Sequence, residues 1–356
     1  MYKSDLFLLI VYISYFLCSI VFSLLINGLF LKFARTLGIR NENDTYIRWS
    51  PESKPALGGI SFYIIFLLSI TAYSFFFERS QYFLNRHFIG VLFAVTLGFL
   101  MGLFDDAYNT KPLLKLFSQI SCALVLILTG TYIHLFSYDW LNYSITLLWV
   151  VGIMNSINMI DNMDAISSIV SICIISSIIL LLYLTNDFLN PHLFILIGML
   201  AAILGFLYYN WYPSKIFMGD TGSQFLGAFL AAFSIIYLWN GKDFYHTVVP
   251  TKQILSVILV FLVTLSDTAV VIIKRVRNKK SPFIGGKDHT THHLSYLGLK
   301  DRKIALIYLC LSVISSSLMI IMQGILHWNH YFIILFSVYP LLVFTVLFYI
   351  ANINKK

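Results

Sequence analysis

From His87 to Phe104 the chain reads HFIGVLFAVTLGFLMGLF, and Asp105 and Asp106 follow at once. An apolar run of this length covers most of a bilayer core of about 30 Å when helical, at about 1.5 Å per residue. It reads as a membrane-spanning helix that ends on a pair of carboxylates. Working outward, a window of about 19 residues finds eleven such stretches: 6–31, 56–77, 87–104, 113–129, 144–160, 165–184, 192–209, 221–239, 254–273, 303–326 and 331–351. The expected fold is all-α, a polytopic integral membrane protein of about eleven transmembrane helices. Composition agrees. Of 356 residues, 59% are hydrophobic and 11% charged, with a mean hydropathy of +0.82. Soluble domains carry about 25% charged residues, so soluble, disordered, collagen-like and disulfide-stapled classes are excluded. The first stretch is longer than a signal-peptide core and has no small-residue cleavage site, so it is expected to be retained.

Eleven spans put the termini on opposite sides. Of the 24 Lys and Arg residues, 19 fall on the side that carries the C-terminus and 5 on the other. The positive-inside rule then places the C-terminus in the cytoplasm and the N-terminus outside. Residues 1–356 form one integral-membrane domain in this reading, with cytoplasmic loops at about 32–55, 105–115, 161–164, 210–220 and 274–302. The basic run Lys274, Arg275, Arg277, Lys279 and Lys280 is either a topology signal beside anionic lipid or a phosphate-handling element. Cys18, Cys122, Cys173 and Cys310 lie within apolar runs with no CxxC pair, which marks them as small core or lipid-facing residues.

Five carboxylates mark three cytoplasmic helix ends: Asp105 with Asp106, Asp161 with Asp164, and Asp220. Ionisable groups at membrane depth are costly and usually functional. Lys115 and Gln119 stand four apart, on one helix face. Asn155, Asn158 and Asp161 recur every third residue along another. Asp220 opens a helix among Gly219, Thr221, Gly222 and Ser223, where small side chains leave backbone N–H groups open to an anion. Hard oxygen ligands from several helices suit Mg²⁺, which commonly bridges substrate phosphates. Lys115 and Arg275 would neutralise further phosphate oxygens. The pattern points to metal-assisted chemistry on a diphosphate substrate at the cytoplasmic membrane surface.

Three further elements keep two or more readings. Lys54-Pro55-Ala56-Leu57-Gly58-Gly59 opens the second helix, as a substrate contact or as an ordinary junction. Asp288-His289-Thr290-Thr291-His292-His293 is a surface loop, a phosphate contact or, with no Cys or third ligand in view, a zinc site. Asp267, inside the ninth span, makes an interhelical hydrogen bond or orients that loop.

In this order, KPxxGG, DDxxxxKPxxKxxxQ, NxxNxxDxxD, NxxPxxxFMGDxGS and HxxHH, over residues about 54–293, resemble the polyprenyl-phosphate N-acetylhexosamine-1-phosphate transferase superfamily, glycosyltransferase family 4. The resemblance implies a Mg²⁺-dependent phosphotransferase, with Mn²⁺ as a substitute ion. Such an enzyme moves a sugar-1-phosphate, of the N-acetylhexosamine type such as GlcNAc-1-phosphate, from a UDP-sugar to undecaprenyl phosphate. It releases UMP and initiates cell-envelope polysaccharide synthesis. The alternative within the superfamily is the phospho-N-acetylmuramoyl-pentapeptide transfer of peptidoglycan synthesis. The resemblance makes Asp220 the principal Mg²⁺ ligand. Asp105 and Asp106 become the pair that activates the lipid phosphate and, through Asp106, supports the metal. Lys115 lies near the diphosphate. Asn158, Asp161, Asp164 and Asn210 line the nucleotide and diphosphate site. Phe217 stacks on uracil, Lys54 lies near the nucleotide, and His289, His292 and His293 form the histidine loop. Implied partners are the UDP-sugar, the polyprenyl phosphate and membrane lipids, without nucleic acid, and a homodimer is allowed. The implied location is the inner (plasma) membrane, with the site on its cytoplasmic face.

One motif departs from the superfamily. Where D-G-x-D-G is usual, this chain has Asp161-Asn162-Met163-Asp164-Ala165. Both carboxylates persist, and the missing glycines change backbone freedom beside the donor, which leaves the sugar open. The rival from another class is a polytopic carrier. Carriers hold their polar residues near the midplane, not at one face.

Overall fold

The structure, a computed structural model, describes residues 5–34, 54–77, 85–281 and 286–353. Thirteen α-helices follow in order: α1 (Asp5–Ala34), α2 (Gly58–Phe77), α3 (Arg86–Tyr108), α4 (Pro112–Leu128), α5 (Asp139–Ile160), α6 (Ile166–Leu184), α7 (Pro191–Asn210), α8 (Gly219–Ser234), α9 (Pro250–Val260), α10 (Leu262–Arg277), α11 (Thr290–Tyr296), α12 (Asp301–Gln323) and α13 (His330–Ile353). A π-helical turn, Ile235–Trp239, prolongs α8. No strand occurs among the described residues. The protein is an all-α, multi-pass membrane protein.

Each of the eleven apolar stretches coincides with helix. Among the described residues, nine helices are long and apolar enough to cross a membrane, and α9 with α10 adds a tenth if counted as one span. The remaining stretch is α4, with 17 residues. Stretch 254–273, expected as one straight span, is broken: α9 and α10 meet at 75°. No Pro or Gly marks the break. Phe261 sits at the corner, fully buried, its ring edge-on to Trp149 at 5.2 Å. The expected loop 274–302 contains the short helix α11. Most of loop 32–55 lies outside the described residues.

α8 is the axis of the bundle. Within its membrane window 89% of residues are buried, against 28% for α1 and 22% for α13. Its sequence, GDTGSQFLGAFLAAFS, supplies small residues that let neighbours come close and Phe rings that fill the gaps between them. α3 and α5 pack most extensively on it, with α2 against its first turns. Contact at the first turn of α8 is backbone on backbone: a Cβ at Gly59 would lie 2.1 Å from Gly222 N, and one at Gly102 2.2 Å from the carbonyl oxygen of Asp220. Gly58 N donates to Phe217 O at 3.0 Å, Gly59 N to Met218 O at 3.0 Å, and Phe217 N to Pro55 O at 2.9 Å. These bonds join the segment before α2 to the segment before α8.

Away from this axis the surface is apolar. Leu6, Phe93, Leu148 and Leu341 stand exposed on four different helices, the coat expected where lipid is the solvent. Cys18 and Cys310 share that surface, while Cys122 and Cys173 are buried. In the first turn of α9, Lys252 is fully buried. Its Nζ donates to Asp243 Oδ2 at 2.8 Å and to the Ile325 carbonyl at 2.7 Å.

Candidate active site

Four helix ends bring charge together at one end of α8. Asp105 lies in the last turn of α3, Asn158 in the last turn of α5, Asp220 in the first turn of α8 and Lys115 near the start of α4. Lys115 Nζ stands between two carboxylates, 2.6 Å from Asp105 Oδ2 and 3.1 Å from Asp220 Oδ2. Asn158 Nδ2 donates to Asp220 Oδ1 and, at 2.8 Å, to Ser223 Oγ. Thr110 N donates to Asp105 Oδ1 at 2.9 Å; the turn that permits this runs through Asn109, whose φ is 52°. Asp105 is buried, whereas the side chains of Lys115 and Asp220 keep 26% and 29% of their exposure. A ligand can therefore reach the Lys115–Asp220 edge.

Asp106 does something different from its neighbour. It accepts from Asp220 N at 3.1 Å, Thr221 N at 2.8 Å and Thr221 Oγ1 at 2.7 Å. It caps α8 from another helix, satisfying N–H groups that a helix N-terminus leaves open. Asp106, expected as a metal ligand, stands beside Asp220 and fixes the backbone under it through these three bonds.

A second cluster adjoins the first along the segment before α8. Asp164 accepts from Ser214 N at 2.9 Å and Ser214 Oγ at 2.8 Å. Lys54 Nζ donates to Ser214 Oγ at 3.3 Å and lies 5.4 Å above the Phe217 ring. Asp161 follows the last residue of α5, half-buried. Asn210, expected on the site's surface, is buried within its scaffold instead. Its Nδ2 donates to Ile216 O at 3.1 Å, and its Oδ1 accepts from Ala165 N at 3.1 Å and Ser168 Oγ at 3.2 Å. It joins the start of α6 to the loop that presents Phe217.

The histidine loop forms a third group. His289 Nδ1 lies 2.8 Å from Asp267 Oδ2, and Thr290 N donates to Asp267 Oδ1 at 2.8 Å. Asp267 thus orients the loop and bridges α10 to α11, both of the readings left open above. Arg275, expected at substrate phosphate, is paired with Asp288 ahead of the histidines: its Nε and Nη2 donate to that carboxylate at 2.8 and 2.7 Å. His293 Nε2 lies 2.8 Å from Lys274 Nζ. Burial, with His289 nearby, pushes the His292 pKa down to about 3. Burial and the Lys274 cation push His293 down to about 4. Both shifts favour the uncharged imidazole at neutral pH. Thr291 Oγ1 donates to Asn162 Oδ1 at 2.6 Å and ties the loop to the turn after α5.

Among the described residues, no three His, Cys, Asp or Glu side chains converge as a metal-holding group. The two carboxylates Asp105 and Asp220, drawn to one cation, are a donor set of the kind Mg²⁺ uses when substrate phosphate and water complete its shell. Sequence reasoning missed Ser214 and Thr110, and it named Thr221 and Asn162 without the bonds they make. Ser214 and Thr221 lie inside a motif that was read, and their small hydroxyls carried no signal of their own.

This is an α-helical, multi-pass membrane protein with a cation-bridged carboxylate cluster at one end of its central helix. The sequence pattern of glycosyl transferase family 4 matches residues 88–238. A probable undecaprenyl-phosphate N-acetylglucosaminyl 1-phosphate transferase of Bacillus subtilis is 30% identical over 289 residues, covering 79% of this chain and 76% of that protein. A decaprenyl-phosphate N-acetylglucosaminephosphotransferase of Mycobacterium leprae is 29% identical, covering 73% and 71%. A phospho-N-acetylmuramoyl-pentapeptide-transferase of Kosmotoga olearia is 28% identical, covering 90% and 98%. The chain belongs to glycosyl transferase family 4 and is an enzyme of the transferase class.

Proposed function

We propose that this enzyme transfers an N-acetylhexosamine-1-phosphate from a UDP-sugar to undecaprenyl phosphate and releases UMP, on the cytoplasmic face of the plasma membrane. The observation that carries the reading is the convergence of Asp105 and Asp220 on Lys115, with Asn158 on Asp220, at the N-terminus of α8, beside the Lys54–Phe217 pair. The first cluster has the charges a diphosphate needs, and the second has an aromatic face and a cation for a nucleobase and its phosphate. The names of the Bacillus and Mycobacterium relatives, both N-acetylglucosamine phosphate transferases, favour N-acetylglucosamine as the sugar.

In this reading Phe217 presents its ring to uracil and Lys54 sits over the same ring. Lys115 stands by the donor diphosphate and offsets the charge that grows on the leaving UMP in the transition state. Asp220 and Asp105 would hold Mg²⁺, which, when bound, polarises the diphosphate and stabilises the departing phosphate. Asp106 keeps Asp220 in place through the backbone. The acceptor phosphate has a second pKa of about 6, so it is already dianionic near neutral pH. Asp105 therefore orients the attack more than it removes a proton. The phosphorus–oxygen bond to UMP breaks as the bond to the lipid phosphate oxygen forms.

The test gives purified protein undecaprenyl phosphate, Mg²⁺ and a panel of UDP-N-acetylhexosamines, with UDP-MurNAc-pentapeptide as one arm. UMP with lipid-linked sugar phosphate supports the proposal, and UDP as product defeats it. Turnover of the pentapeptide donor alone would move the enzyme to the peptidoglycan branch, which the Kosmotoga relative represents.

A further inference from the structure

Beneath the charged cluster lies a second polar layer. Lys115 and Gln119 are four apart on α4, Asp220 and Gln224 four apart on α8, and Asn158 and Asn155 three apart on α5. Each pair is one helical turn, about 5.4 Å, so each inner residue sits one turn deeper in the bundle than a residue of the cluster. The three inner residues meet. Asn155 Nδ2 donates to Gln119 Oε1 at 2.7 Å; Gln119 Nε2 donates to Gln224 Oε1 at 3.1 Å and to Asn155 Oδ1 at 3.3 Å. Gln119 and Gln224 are each 1% exposed, and among the described residues Gln224 Nε2 has no partner. Carboxamides suit this depth: they join three helices with directed bonds and bring no charge into the membrane interior. An unpaired buried donor costs stability, which marks the layer as kept for position and not for tight packing.

α4 depends on this layer. From Pro112 to Ser118 its residues are exposed or half-buried, and Gln119 is its first buried residue. The two leading turns, which carry Lys115, overhang the bundle. Gln119 is their inner anchor.

We infer that Gln119, with Asn155 and Gln224, is a positioning residue: the carboxamide layer holds the start of α4 so that Lys115 stands between Asp105 and Asp220. In its catalytic consequence this rests on the proposed transferase reading; in its structural claim it does not. The experiment reads both. Reductive methylation of purified protein, followed by mass spectrometry, gives the labelling rate of Lys115 relative to the exposed Lys111. Gln119→Leu is expected to raise the Lys115 rate at least threefold with Lys111 unchanged. Leu126→Ala, a buried change deeper in the same helix, leaves Lys115 at the wild-type rate. In turnover, Gln119→Leu lowers kcat at least tenfold, while KM for the UDP-sugar stays within twofold because Lys54 and Phe217 stand on other segments. If Gln119→Leu does not fold, Asn155→Ala carries the same expectation. Unchanged Lys115 labelling, or an equal rise in Leu126→Ala, overturns the inference. Labelling needs no turnover, so a wild type that releases no UMP defeats the transferase reading and leaves the anchoring of Lys115 by Gln119 intact.

Discussion

Thr291 Oγ1 and Asn162 Oδ1 are 2.6 Å apart, although 129 positions separate them in the chain. Asn162 also donates to Met159 O at 2.9 Å, so a side chain that the superfamily's usual glycine would lack braces the α5–α6 turn and holds the histidine loop. Asn162→Gly and Thr291→Val should each lower kcat several-fold. Both break the Thr291–Asn162 bond, and Asn162→Gly also removes the Met159 bond, so the double variant should be no worse than Asn162→Gly alone. The expected coupling is about 1 kcal/mol. Additive losses in the double-mutant cycle would mean that the bond does not link the two segments.

Ala165 holds φ at 67°, in the left-handed region where the superfamily's pattern has glycine. A Cβ there costs about 1 kcal/mol. Ala165→Gly should therefore raise the melting temperature by a few degrees, provided the relieved strain exceeds glycine's greater loss of chain entropy. Thermal unfolding in detergent measures it. A lower melting temperature would show that the turn is not strained at this residue.

Asp220→Asn should abolish turnover, and Lys115→Met should lower kcat by about 10²-fold or more, the usual loss for one preorganised electrostatic partner. Lys54→Ala and Phe217→Ala should act mainly on KM for the UDP-sugar. Steady-state kinetics separate the two groups. Near-normal activity of Asp220→Asn with Mg²⁺ present removes the metal assignment.

The lowered pKa values of His292, about 3, and His293, about 4, set a pH dependence. Free histidine titrates near 6.5. Between about 6.5 and 4 the unfolded chain binds protons at these rings that the folded chain refuses, so stability falls as pH drops through this window. Melting temperatures across that range should decline, and more gently in His293→Gln. A wild-type slope unchanged by that substitution would place the buried titration elsewhere.

Lys252 and Asp243 form an ion pair buried on both sides, with exposures of 2% and 4%. Lys252→Met strands the Asp243 carboxylate and should cost about 3–5 kcal/mol. Protein that still folds should keep kcat, because the pair ties the α8–α9 connection to the first turn of α9 and does not belong to the site. A selective loss of kcat at unchanged melting temperature would contradict this division.

Much of this protein was legible in one dimension. A run such as 87–104 announces its helix, because lipid cannot hydrogen-bond a backbone and the chain must satisfy its own. The carboxylates at run ends announced the site, because charge there is too costly to be incidental. Both signals are local, and local periodicity reports them faithfully. What local pattern cannot report is how each helix is rotated and seated against the others. Asp105 and Asp106 are adjacent and chemically alike, yet one meets Lys115 and the other caps α8. Asn210 and Arg275 have the chemistry of ligand contacts but are taken up by Ile216, Ala165 and Asp288. The break at Phe261 has no Pro or Gly to announce it. The split between Asp105 and Asp106 goes with the backbone contacts of Gly59 and Gly102 with the first turn of α8, which seat three helices at distances that only the assembled bundle sets. Sequence determined which segments enter the membrane and which residues have the chemistry. Tertiary packing decided which of them face the substrate, because one rotation of a helix turns a ligand into a brace.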